Sequence, residues 1–327
     1  MQLIEISYTI LILSLLAWTV AVSHQSKQRD VARKKREQRT MYRTAYTTDV
    51  TDAQWTIIEP FVRPNVGKPG HPAEIDRRWI VNGVLYVLGT GCQWRNLPHD
   101  LPKEGIIRYY IKKWTEDGTI VTLHGFVLAE TRQAQERDVE PTACIIDSQT
   151  VKTAAGVGER GFDGGKKITG RKRHITVDTQ GNVLDVVISP ANITDAEGGT
   201  YSLGTIASTH PSIVKAWADH AYVGIIDDIR ELYGIELEIV TQIADQQTFV
   251  PLPRRWMVER SLAWITNYRR LVKDYERRPE ISESYILLAS IHVMLRRLSP
   301  DVSQAKAWEN RKRDRNGRII SNVVKAA

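Results

Sequence analysis

The chain has 327 residues, 45 Lys and Arg against 38 Asp and Glu, a formal net charge of +7 and 42% apolar residues. That composition excludes a disordered or low-complexity chain and leaves room for two ordinary domains. The two cysteines, Cys92 and Cys144, exclude a disulfide framework; both stand in apolar stretches and read as buried free thiols of a reducing compartment.

The first forty residues differ from the rest. Ile6–Ser23 is eighteen residues without a charge, the length at which a membrane span is considered. Lys27, Arg29, Arg33, Lys34, Lys35, Arg36 and Arg39 follow it and would place its C-terminal side in the cytoplasm. Globular patterning begins only after Met41. Residues 1–40 are therefore expected to be an extension read from an upstream start codon, with a membrane anchor as the alternative. This segment holds +4 of the net charge, leaving +3 for the remainder. So small an excess is weak support for a polyanionic partner, and motifs must carry the argument.

Four helices are expected between residues 41 and 137. Thr51 can cap the first, with Gln54 reaching back three residues later. Pro64 to Pro72 reads as a loop. The second helix is placed at Ala73–Leu88 and stopped by Gly89-Thr90-Gly91. The third, Lys103–Trp114, interleaves aromatics with Arg108, Lys112 and Lys113. It reads equally well as the DNA-facing helix of a helix–turn–helix or as an amphipathic helix with a solvated basic face. The fourth covers Val121–Gln135.

Beyond residue 138 the pattern becomes α/β. Ala143–Ile146 is a short buried strand ending at Asp147. Lys172–Val177 and Val183–Ser189 form a hairpin through Gln180-Gly181-Asn182. A crossover helix starts near Thr194. Ile213–Ala218 is a strand ending at Asp219, Ile225–Tyr233 a helix stopped by Gly234, and Ile235–Thr241 a further strand. Arg254–Tyr275 is expected as one long helix and Ser282–Leu298 as the last. This order predicts a mixed sheet with helices on its faces, followed by a basic tail over 301–327.

Three acidic residues occupy the positions that metal-assisted phosphoryl transfer requires, where carboxylates from different elements converge on divalent ions. Asp147 and Asp219 end strands, and Glu259 lies inside a helix. Each also has a plain structural reading: a turn cap for either Asp, a surface partner of Arg255 for Glu259, although that order makes a poor helix pair. Asp178 and Asp195 compete for the same role, Asp195 looking more like a helix cap.

The ordered string of motifs resembles the DDE transposases of bacterial insertion sequences, in particular insertion-sequence family 5. It runs from Thr51-Asp52-Ala53-Gln54-Trp55 and Gly91-Cys92-Gln93-Trp94-Arg95-Asn96-Leu97-Pro98 through Ile145-Ile146-Asp147-Ser148-Gln149-Thr150-Val151-Lys152. It continues with Gly161-Phe162-Asp163-Gly164-Gly165-Lys166-Lys167, Gly170-Arg171-Lys172-Arg173-His174, Trp217-Ala218-Asp219 and Arg254-Arg255-Trp256-Met257-Val258-Glu259-Arg260. The resemblance implies a ribonuclease H-like catalytic domain over 138–300, with Asp147, Asp219 and Glu259 as catalytic and metal-binding triad and Mg2+, or Mn2+ in its place, as cofactor. It implies a helical domain over 41–137 that helps bind the terminal inverted repeats, and a homo-oligomer, at least a dimer, on paired ends. Cleavage and strand transfer would occur in the cytoplasm at the nucleoid. Leu252 and Thr266 depart from the Tyr and Lys of the wider family pattern, and His220 stands where a small residue is common.

DNA contacts are expected from Arg108, Lys112, Lys113, Lys152 and Arg255, and from the basic hairpin containing Lys166, Lys167, Arg171, Lys172 and Arg173, which reads as backbone-binding. Its plain reading is a solvated basic turn. Three rival functions remain at this point: a structure-selective nuclease of the same fold, a non-catalytic DNA-binding derivative of a transposase, and a membrane-tethered protein whose function starts with residues 6–23.

Overall fold

The computed structural model describes residues 44–63, 75–240 and 255–299. The Ile6–Ser23 run, the Pro64–Pro72 loop, Leu252 and the basic tail lie outside them. Among the described residues no helix is long and apolar enough to cross a membrane. Residues 44–47 and 98–100 form a small unit of their own, in which the Tyr46 hydroxyl donates to Asp100 at 3.0 Å. Everything below concerns the large unit, whose described part is 48–63, 75–97, 101–240 and 255–299.

Its first helix, α1 (Asp52–Val62), opens on the expected capping box: Thr51 accepts from the Gln54 backbone and the Gln54 side chain accepts from the Thr51 backbone. Helix α2 (Arg77–Thr90) begins after Asp76, whose carboxylate caps Arg78 N–H, and ends at Gly91 with φ +64°. The left-handed C-terminal position suits glycine, and a side chain there would also meet Arg269. Helices α3 (Glu104–Glu116) and α4 (Thr119–Ala134) complete the helical region. They bury Ile107, Ile111, Trp114, Leu123 and Val127.

Among the described residues the α/β region is built on six strands: β1 (Ala143–Lys152), β2 (Gly161–Asp163), β3 (Ile168–Asp178), β4 (Val183–Pro190), β5 (Lys215–Ala218) and β6 (Glu236–Ile239). The order is β2-β3-β1-β5-β6, with β4 also on β3. Strand β3 is antiparallel to β1 over its length; β2 takes the first residues of its other edge and β4 the rest. Strands β1, β5 and β6 run parallel. This is the expected ribonuclease H-like mixed sheet, with three corrections. Asp147 lies in the middle of β1, which continues through a polar half paired with β3. The hairpin is longer than expected, and β2 was not anticipated.

One face of the sheet carries α5 (Asp195–Thr209), capped by Thr194 and held by a Thr176–Ser202 hydrogen bond of 2.9 Å. The opposite face is covered by α7 (Arg255–Thr266) and α8 (Pro279–Leu298), whose Ser261, Ile265 and Met294 gather around Val183. Helix α6 (Ile226–Tyr233) ends, as expected, at a left-handed Gly234. The long helix expected over Arg254–Tyr275 stops at Thr266. The chain then turns through a 3-10 segment at Arg269–Leu271, and Asp274 bridges Thr153 beyond the end of β1, its N–H donating to the Lys152 carbonyl at 2.9 Å and its carbonyl accepting from Ala154 N–H at 2.7 Å.

Helices α1 to α4 share one apolar core with the sheet and its covering helices. Thr115 on α3 meets Ser284 on α8 at 2.8 Å, and His124 on α4 meets Ser290 at 3.2 Å. Cys144 is fully buried, its thiol pushed up to about 12 by burial, whereas Cys92 is only partly covered.

Candidate active site

The parallel pairing of β1 with β5 sets Ala143 against Lys215, Cys144 against Ala216 and Ile145 against Trp217. Continued two residues, this register brings Asp147 level with Asp219, which is still extended at φ −86° and ψ −178°. Residues level on neighbouring strands share a face, and such strands lie about 4.8 Å apart. Two carboxylates 72 positions apart in sequence thus come level with each other just past the paired part of two central strands. Both are partly exposed. Asp147 accepts from Ser148 N–H at 2.7 Å, and Asp219 from Ala221 N–H at 2.9 Å as the cap of a 3-10 turn over His220–Ile225.

The shared face is the one covered by α7. Asp147 stands opposite Ile175 and points to the same side as Arg173, and the Arg173 guanidinium donates to the Leu271 carbonyl, just beyond α7, at 2.7 Å. Helix α7 turns Val258, Leu262 and Ile265 inward and leaves Glu259 exposed. Asp147 and Asp219 are therefore brought together, while Glu259 belongs to a helix laid over the same side. Among the described residues, no group of three or more His, Cys, Asp or Glu is close enough to hold a metal ion jointly. Arg255 is the first residue of α7, and its side chain lies outside the described residues. Thr266 ends the helix, its hydroxyl turned back to Ala263 O at 2.9 Å, and His220 is exposed.

The two competing carboxylates separate by environment. Asp178 has no exposed surface: it accepts from Gln180 and Asn182 backbone N–H groups and from the Asn182 side chain, and is ion-paired with buried Arg132. It is a structural anchor of the β3–β4 turn. Asp195 is not the helix cap, since Thr194 fills that role. It instead pairs with Lys172 at 2.7 Å. Burial alone would raise its carboxyl, but the Lys172 ammonium beside it holds it below the usual carboxylate range. Near it, the Tyr222 hydroxyl is pushed well above its ordinary value by burial and by the charges of Asp147, Asp195 and Asp219.

The basic hairpin needs correction. Lys166 and Lys167 sit on the exposed turn, Lys167 at φ +54°, and Lys152 is exposed nearby. Arg171, Lys172 and Arg173 lie within β3 and point into the molecule. Arg171 is 1% exposed, pairs with Asp274 at 3.2 Å and donates to the carbonyls of Glu159, Glu276 and Arg277. Arg173 is fully buried against Gln149 and Leu271. These two arginines and Lys172 hold distant segments onto the sheet and are not surface phosphate contacts. On α3, Arg108, Lys112 and Lys113 are exposed, Lys112 facing Glu116 at 3.9 Å and Lys113 facing Asp117 at 2.6 Å.

Comparison with known proteins agrees with this architecture. Residues 139–294 match a family model described as a transposase DDE domain, and residues 50–124 match one described as a putative transposase of the IS4/5 family. An uncharacterized 16.2 kDa protein of insertion element IS402 from Burkholderia cepacia is 30% identical over 117 residues, covering 34% of this chain and 77% of that protein. Sheet, flanking helices and family matches together define an enzyme of the transposase class, with DNA as its substrate class. The chain belongs to the DDE transposases of bacterial insertion sequences, within the IS4/5 group.

Proposed function

We propose that this transposase cleaves DNA at the terminal inverted repeats of its element and joins the freed 3′-hydroxyl to target DNA, using Asp147, Asp219 and Glu259. The register that sets Asp147 beside Asp219 on one sheet face is the observation that carries the reading. An all-oxygen carboxylate set suits Mg2+, with Mn2+ as a substitute. Bound there, a divalent ion would polarise the phosphodiester and offset the charge developing on its oxygens. Asp147 and Asp219 would hold it from the sheet, and Glu259 would close the site from α7 once DNA is bound. The chain's own contribution is positioning and charge, with no covalent enzyme intermediate required.

Lys152, Lys166 and Lys167 on one side, and Arg108, Lys112 and Lys113 on α3, are the exposed cations proposed to contact the DNA backbone, with Arg255 acting near Glu259. Within the shared core, 41–137 would chiefly bind the element ends and 138–300 would perform chemistry. Synapsis of two ends would require at least a dimer, working in the cytoplasm.

An end-labelled duplex carrying the inverted repeats, incubated with protein, Mg2+ and target plasmid, tests the reading. Nicked ends and joined products are expected from the wild type, and Asp147→Asn or Asp219→Asn should reduce both to background while DNA binding persists. Cleavage surviving Asp147→Asn defeats the assignment. Cleavage without joining indicates a nuclease, and binding without cleavage a non-catalytic derivative.

A further inference from the structure

Of the three proposed carboxylates, Glu259 alone stands on a helix, and the two residues that follow it fasten that helix to the sheet. Arg260 donates from Nη2 to the Gln180 carbonyl at 2.7 Å, and the Ser261 hydroxyl donates to the Gly181 carbonyl at 2.6 Å. Both acceptors are main-chain atoms of the β3–β4 turn. Successive helix residues lie about 1.5 Å apart along the axis and roughly 100° apart around it. Directed bonds at 260 and 261 therefore define the height and rotation of residue 259. The buried Val258 and Leu262 add apolar contact, which has no direction of its own.

The Arg260 guanidinium is held between two rings, 4.5 Å from the Trp256 centroid and 4.5 Å from that of Trp264, one turn to either side. Arg297 on α8 stacks on Trp264 in turn at 4.5 Å and donates to Asn182 Oδ1 at 2.6 Å. The buried Arg260 Nε–H has no acceptor among the described residues, so the ring pair and one carbonyl set the guanidinium plane. A planar cation suits that slot, and a compact ammonium does not.

From the other side, Gly181 has φ +76°, and a Cβ there would lie 2.9 Å from Ser261 Oγ and 3.0 Å from Arg260 Nη2. The turn therefore meets α7 with no room for a side chain between them. The turn is itself anchored to the helical region. Asp178 pairs with Arg132 on α4, and Asn182 donates to Gln135, just past α4, at 3.0 Å.

We propose that Arg260 and Ser261 are positioning residues that set Glu259 over the sheet through the β3–β4 turn, Gly181 being the close contact that lets them reach it. The inference rests on the reading of Glu259 as a catalytic carboxylate. Arg260 then acts on the main chain of the protein rather than on DNA phosphate.

The test uses the full chain and its variants Arg260→Lys, Ser261→Ala, Gly181→Ala and Glu259→Gln. Gly198→Ala, a packing defect on the opposite sheet face, serves as the comparison. Three quantities are read below each variant's melting temperature: the rate of end cleavage at saturating Mg2+, the Mg2+ concentration giving half that rate, and the salt dependence of end-duplex binding. A misplacement of about 1 Å can cost on the order of 100-fold in rate, and residues supporting a metal site alter affinity or activity by roughly 10–100-fold. Arg260→Lys and Gly181→Ala should lower the rate within that range and raise the Mg2+ requirement. Neither changes a charge, so DNA affinity and its salt slope should stay at wild-type values. Gly198→Ala should keep the wild-type Mg2+ requirement.

Wild-type rate and Mg2+ requirement in either Arg260→Lys or Gly181→Ala, beside an inactive Glu259→Gln, overturn the inference alone. So does an equal rise in Mg2+ requirement in Gly198→Ala, which marks general loosening. So does an Arg260→Lys variant whose main loss is DNA affinity with a smaller salt slope, since that marks a phosphate contact. If Arg260→Lys fails to fold, Ser261→Ala takes its place under the same criteria. A Glu259→Gln variant that cleaves like the wild type, or a wild-type chain that does not cleave, overturns the site reading and the inference together.

Discussion

Arg132 and Asp178 face each other with almost no exposed surface, at the point where α4 meets the β3–β4 turn. Removing one partner of such a pair leaves a buried charge alone, which costs about 3–5 kcal/mol. Asp178→Ala should therefore lower unfolding stability by that amount in urea titration; a loss below about 1 kcal/mol would show the pair to be dispensable. A second, half-buried acid has the opposite character. Glu283 accepts from Ile188 N–H at 2.9 Å, and burial, with nearby Asp185 and Glu280 only partly offset by Arg171, raises its carboxyl to about 7. Asp185 is itself raised to about 6, chiefly by burial. A carboxyl whose folded value is raised binds its proton more tightly when folded, so its contribution is complete below the ordinary value of 4.5 and disappears as pH rises through about 7. Glu283→Gln should consequently gain thermal stability relative to wild type on going from pH 5 to pH 8. A difference in melting temperature that is flat across that range would contradict the assignment.

At the scale of elements, the first turn of α5 shows how close packing depends on missing side chains. Gly198→Ala forces a methyl group into the His174 ring, and such overpacking costs about 1–3 kcal/mol. Chemical denaturation should show that loss, whereas Gly105→Ala, on α3 with nothing nearby, should show none of it. The same element explains what could and could not be read from sequence. Its start was visible because Thr194 caps locally, as was the start of α1 through Thr51 and Gln54. Asp195 reads as a cap in sequence because its partner, Lys172, is 23 positions away and nothing local announces it. Strand β1 was cut short at Asp147 because Ser148-Gln149-Thr150 is polar; the antiparallel partner β3 keeps those residues in the strand. The run Lys166–His174 reads as backbone-binding, or as a solvated basic turn, because Asp274 and the Leu271 carbonyl, which draw Arg171 and Arg173 inward, come from a distant return of the chain. Asp147 and Asp219 were found by motif, but only the parallel register makes them neighbours.

At the scale of the whole molecule, the helical region and the sheet share one core within the large unit, because α8 packs both against α3 and α4 and against β4. A chain ending at residue 275 should lose the helical region's packing as well as the sheet's cover. It should unfold without a cooperative transition by circular dichroism; a sharp melt would show that 48–137 stands without α8. The sheet also imposes an asymmetry on the proposed chemistry. Asp147 and Asp219 stand two residues past the last paired positions of two central strands, so their spacing follows the strand register. Glu259 rides on a helix fastened to the β3–β4 turn by side chains, Arg260 donating to the Gln180 carbonyl at 2.7 Å and Ser261 to the Gly181 carbonyl at 2.6 Å. In the proposed site two carboxylates would therefore answer to the backbone and the third to side-chain contacts at one turn.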